Sequence, residues 1–130
     1  MSADLLALVL LCPLAFALQL LPGLGRFSQP GGLAWGVSNR EAPVETPAWA
    51  ARAQRAHANL MENLPHYAIV VLIAVQTQHT NALTAMAGWV FLGARVAHAI
   101  VYIAGITYVR TAAFYVGVAA EIAIASQLFG

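Results

Sequence analysis

Between Leu5 and Leu24 the chain carries no charged residue. A helix crossing a bilayer needs roughly 20 consecutive, mostly apolar residues, because backbone polar groups must be satisfied internally across the hydrocarbon. Three further apolar stretches follow, and this fourfold pattern limits the fold more than any motif does. The chain has 130 residues, of which 61% are hydrophobic and 8% charged, with a mean hydropathy of +0.74. A soluble domain this small keeps much of its surface in water and could not hide so much hydrocarbon. The bilayer is therefore the expected solvent.

The spans are expected at about residues 4–25, 47–77, 82–104 and 108–128, within a single domain over residues 1–130. GRFSQPGGLAWGVSNREAPVETPAW, rich in Gly, Pro and charge, reads as the first loop, with a helical extension in its middle. Thr46-Pro47 reads as a helix start, Thr46 capping and Pro47 in the first turn. Pro65 falls inside the second span. The short uncharged segment QTQHTN and the tight GIT turn close the later connections. Four antiparallel helices in up-down order are the simplest architecture: an all-α integral membrane bundle. The first apolar run lacks the basic flank of a secretory signal and reads as a retained span.

All six basic residues outside histidine are arginine. Arg26, Arg40, Arg52 and Arg55 lie in or beside the first loop, and Arg110 lies at the last turn. The positive-inside rule puts these on the cytoplasmic side and both termini on the other. In a bacterial host this means the inner membrane. A net charge of +1 gives no reason to expect nucleic acid. One cysteine excludes an internal disulfide. The four histidines have no metal-ligand spacing, so no metal is expected. No nucleophile elbow, zinc-protease motif or phosphate loop is present.

The polar residues that remain are arranged. Arg52, Arg55, Asn59, Glu62 and His66 recur at intervals of three and four, which is one face of a helix. Arg95, His98 and Tyr102 form a matching set on the third span. Arg95 lies about 15 Å below the last turn at 1.5 Å per residue. A guanidinium at that depth calls for a carboxylate. Glu62 and Glu121 are the candidates, and Glu62 is favoured because Arg55 and Asn59 share its stripe. His66 and His79 read as interfacial. The same residues could form an ion pair that only pins helix register. As a pocket, they suit a small zwitterion with more than one carboxylate. Its ammonium would meet Glu62, and its carboxylates Arg55, Arg52 or Arg40. A lipophilic second substrate would enter from the membrane lipid. A small multidrug exporter is a poorer fit, since the only acid near the first span is Asp4 at its very end.

These residues resemble a known family. Arg52-x-x-Arg55-Ala56-His57-x-Asn59-x-x-Glu62-Asn63-Leu64-Pro65 resembles the second-helix signature of the membrane-associated proteins of eicosanoid and glutathione metabolism, the MAPEG family. Arg95-x-x-His98-x-x-x-Tyr102, followed by Tyr108-Val109-Arg110-Thr111, resembles its third- and fourth-helix signature. The wording ENLP with GITYVRT is most similar to the family's bacterial branch. The resemblance implies four-helix protomers assembled as homotrimers, with glutathione held between protomers near the cytoplasmic side. Arg55, Asn59, Glu62, His98 and Tyr102 would then hold the tripeptide, with Arg40 reaching it from the loop. Arg110 would stabilise the thiolate, with Tyr102 beside it. Members conjugate that thiolate to lipophilic electrophiles, reduce hydroperoxides or isomerise endoperoxides. The chain departs from the pattern at Ala58, Asn63 and Thr111. A non-catalytic membrane protein, holding a lipid headgroup or small zwitterion in the same pocket, is the alternative reading.

Overall fold

The computed structural model describes all 130 residues. The chain is all-helical, with α1 (Ala3–Phe27), α2 (Gly32–Gly36), α3 (Ala48–Gln76), α4 (Ala82–Ala104) and α5 (Thr107–Ser126). All but α2 are long and apolar enough to cross a membrane. These are the four expected spans, with α2 as the helical piece inside the first loop.

The ends follow from local chemistry. Ser2 caps α1 by accepting from the Leu5 amide, with Asp4 in the first turn and Arg26 in the last, both favourable to the helix dipole. Asn81 and Thr84 form a reciprocal capping box at the start of α4. Gly105 ends α4 at φ 83°, a left-handed conformation that glycine adopts without cost. One end differs from expectation. Pro47, not Thr46, stands at the cap of α3 and makes no side-chain cap bond. The Thr46 hydroxyl is engaged elsewhere, accepting from Arg26 Nε at 3.1 Å.

α1 packs against α3 and α4, while α5 packs chiefly against α4, touches α3 and does not reach α1. The core runs through Leu11 and Leu18 of α1, Leu60, Tyr67 and Val71 of α3, Phe91 of α4 and Ile124 of α5. Tyr67 and Phe91 stack with planes 2° apart and centroids at 3.7 Å. The chain has its largest side chains outside as well as inside: Phe16, Ile69, Ile100 and Ile122 are each more than half exposed. In water this would be an aggregating surface; in a bilayer it is the lipid-facing coat. Small residues set the helix approaches. Gly25 of α1 lies directly on Ala50 and Trp49 of α3. Gly88 is used within the chain, against Ala7 and Tyr67.

Gly25→Val is expected to destabilise the bundle by about 1–3 kcal/mol, the usual cost of overpacking. Gly23→Ala, whose added methyl would make only ordinary contact with Phe27, should be neutral. Thermal unfolding of both variants in detergent, followed by near-ultraviolet circular dichroism, checks the difference.

Candidate functional site

Arg95 is only 2% exposed, deep between α3, α4 and α5. It forms no ion pair, which corrects the expectation that it joins Glu62 or Glu121. Its Nη1 donates to the Asn59 side-chain oxygen at 3.4 Å. Its guanidinium lies over the rings of Phe91 at 4.8 Å and Phe114 at 5.3 Å, and its Nε and Nη2 have no hydrogen-bond partner. The reason Glu62 fails is helical geometry. The buried line of α3 runs through Ala56, Leu60, Asn63 and Tyr67, and at ~100° per residue Glu62 points nearly away from it. Glu62 is exposed. Glu121 is engaged by His66, whose Nδ1 lies 2.6 Å from its Oε1. This is the chain's one close contact between a carboxylate and a basic side chain, and it ties α5 to α3.

An isolated arginine at a helix centre costs about 2.5–3.5 kcal/mol to insert. A desolvated cation–π contact returns up to about 2 kcal/mol. Two such faces and one hydrogen bond to Asn59 offset much of that cost without an acid, while Nε and Nη2 stay unpartnered. α5 makes room for it at Gly117, where an added Cβ would lie 2.5 Å from Nη2.

Arg95 in turn fixes Asn59. With its oxygen held, the Asn59 amide NH2 is left to donate, and Asn59 lines an open groove of about 300 Å3 with His98, Tyr102, Arg110, Thr111, Phe114 and Tyr115. His98 is buried and meets the Tyr102 ring edge-on at 5.4 Å. The Arg110 guanidinium lies 4.7 Å over that ring. Four residues expected from the sequence, Asn59, His98, Tyr102 and Arg110, thus share one groove, and Arg95 supports it from behind. Tyr115, largely exposed, opens its flank outward, with Phe114 packed edge-on against it.

The other expected residues lie apart. Arg52 donates from Nε to the Ile103 carbonyl at 2.7 Å and packs on Gly105, satisfying the C-terminal end of α4. Arg55 lines a neighbouring depression with Arg26, Thr46 and Gln54. Arg40 sits on the exposed loop over Trp35. Of the groove wall on α5, Phe114 and Tyr115 were not expected from the sequence. The signal was present: Arg110, Thr111, Phe114 and Tyr115 share one helical face.

Gly117→Ala is expected to cost about 1–3 kcal/mol of stability by crowding Arg95. Arg95→Met alone should be close to neutral, as replacements of buried charge by apolar groups often are. Combined, Arg95→Met should recover most of the Gly117→Ala loss. A double-mutant cycle by thermal unfolding reads this coupling, and simple additivity would contradict the packing described.

Among curated proteins, none matches the chain. The family model for MAPEG matches residues 4–130, essentially from end to end. This is an integral membrane helical bundle, and the chain belongs to the MAPEG family.

Proposed function

We propose that the protein is a membrane-embedded, glutathione-dependent transferase or peroxidase, activating a thiol for attack on a lipophilic electrophile or hydroperoxide. The observation that carries this reading is the position of Arg110, whose guanidinium lies over Tyr102 in the groove lined also by Asn59 and His98. A free thiol has a pKa of about 8.5, and an adjacent guanidinium lowers it so that thiolate is present at neutral pH. The groove also opens at the first turns of α5, where the helix dipole favours an anion. Tyr102 and Thr111 offer hydroxyls to the sulfur, and Asn59 an amide to the tripeptide. Transfer then forms a carbon–sulfur bond as the thiolate pair attacks carbon, and the electrophile either breaks a π bond and takes up a proton or expels its leaving group with the bonding pair. With a hydroperoxide, the thiolate takes the terminal oxygen, the alcohol leaves, and a second glutathione closes the disulfide and releases water.

On this reading Arg55 and Glu62, exposed on the outer face of α3, complete the tripeptide site only when a second copy covers them. That supports the homotrimer the family resemblance implies. Gly93 and Ala97 of α4, with free space around them, leave room for close helix contact. The first loop and the α4–α5 turn lie at the same end of the bundle, and the arginine distribution assigns that end to the cytoplasm. A bacterial inner membrane fits that placement.

The test is to titrate the purified protein in detergent with glutathione and follow thiolate absorbance in the ultraviolet. A saturable signal is expected, reduced at least about tenfold in Arg110→Ala, since a tenfold effect corresponds to one pKa unit. Binding without thiolate would favour the non-catalytic reading. Native mass spectrometry in mild detergent is expected to give a trimer; a monomer at all protein concentrations would remove the shared site.

A further inference from the structure

At the same end of the bundle, outside the groove, two arginines share one tryptophan. The Arg26 guanidinium lies 5.7 Å from the centre of the Trp35 ring and that of Arg40 lies 5.3 Å from it. Neither has a carboxylate at ion-pair distance, because the only pair in the chain is His66–Glu121. Arg26 is held by neutral acceptors, the Thr46 hydroxyl at 3.1 Å and the Gln54 amide oxygen at 2.6 Å. Arg40 is held by its backbone. Its φ of 60° is a left-handed conformation uncommon for a residue with a side chain. Ser38 Oγ accepts from its amide at 3.0 Å, and its Nη2 donates to the Gly36 carbonyl at 3.4 Å.

The platform beneath them is rigid. A Cβ at Gly32 would fall on the Arg26 carbonyl, and one at Gly36 on the Phe27 ring, so α2 is pressed onto the end of α1. Below the arginines a groove of about 380 Å3 descends along α1 past Leu24 and Leu20 to Leu18. Arg26 to Leu18 is eight residues, about 12 Å at 1.5 Å per residue. The groove thus has a cationic mouth and runs into the span between Leu20 and Leu24 on one wall and the polar Gln54 and His57 of α3 on the other. Gln19 on the α1 wall offers an amide to ester carbonyls. Leu33 of α2 and Val37 just after it are 71% and 92% exposed, which suits a loop at the membrane interface.

We infer that Arg26, Arg40 and Trp35 form a binding site for the phosphate of an anionic phospholipid, with one acyl chain lying against the exposed Leu24 and Leu20. Two guanidiniums with no carboxylate at ion-pair distance, against the single acid Glu41 in the adjoining depression, favour a phosphodiester of net negative charge. The ammonium of a zwitterionic headgroup would be repelled at the same place. The chain's apolar coat puts such lipids beside the groove at all times. This site does not depend on the thiol chemistry proposed for the groove around Arg110.

The test uses the full chain with Trp49→Phe and Trp89→Phe, leaving Trp35 as the only tryptophan, in phosphatidylcholine nanodiscs. A small fraction of the lipid carries brominated acyl chains, with either a phosphatidylglycerol or a phosphatidylcholine headgroup. Several-fold stronger quenching of Trp35 by the brominated phosphatidylglycerol is expected, and Arg40→Gln should abolish the preference. Equal quenching by the two lipids would overturn the site. Loss of the preference on adding inorganic phosphate or glutathione would also overturn it, in favour of a soluble anion. If the tryptophan substitutions prevent folding, native mass spectrometry of otherwise unaltered protein decides. Retained phosphatidylglycerol adducts that disappear in Arg40→Gln support the site, and no difference refutes it.

Discussion

The position of Arg95 governs the half of this bundle that carries the α4–α5 turn. A guanidinium in hydrocarbon must be satisfied by protein, and here aromatic faces and one amide oxygen do most of it. That requirement fixes three other things. Phe114 must lie over the cation, which sets the rotation of α5. Position 117 must lack a side chain, which sets how closely α5 approaches α4. Asn59 must present its oxygen inward, which leaves its amide hydrogens for the groove. The groove is thus shaped by a residue that has almost no surface in it.

α5 is the least anchored of the long helices. Only Gly117, Ala120 and Ile124 are buried on it, and it never touches α1. Its polar ties are few: Glu121 with His66 on α3, and Gln127 accepting from Asn81 at the start of α4 at 2.8 Å. A hydrogen bond between side chains on separate helices ties them at that level, here through a histidine that is itself more than half exposed. The His66–Glu121 contact therefore fixes the far half of α5, as Arg95 fixes the near half. Arg110, Thr111, Phe114 and Tyr115 all ride on this helix, so the width of the groove follows from those two attachments.

Much of this was legible in the sequence because membrane helices obey few rules. Long apolar runs gave the spans, and the three-and-four spacing put Asn59, His98 and Tyr102 on inward or groove-facing positions. What could not be read was how charges pair. A stripe at positions 52, 55, 59, 62 and 66 is wide, and neighbours on it diverge around the helix. Arg52 turned to the end of α4, Glu62 turned outward, and His66 found Glu121 on a helix far along the chain. Pairing depends on the rotation of each helix about its own axis, which periodicity constrains only to within a face. Cation–π partners were equally hidden, since Phe91 and Phe114 read as ordinary core residues. The pairing of Arg26 with Trp35 was hidden too, because the loop carrying α2 and Trp35 has no repeating pattern.

The outward residues of α3 carry the remaining argument. Arg55 and Glu62 are exposed, and so is more than half of the His66 side chain. On the same helix Ile69, Leu72 and Ile73 are exposed and suit lipid. Lipid cannot satisfy a carboxylate at the depth of Glu62. Water reaching down from the α4–α5 turn, or the polar face of another copy, can. A bundle designed only to sit in the membrane would have no reason to keep that carboxylate one helical turn from Asn59 and two from Arg55. The arrangement is economical if the face is a wall of a shared cavity: each copy then contributes an Arg110 groove on one side and an Arg55–Glu62 stripe on the other.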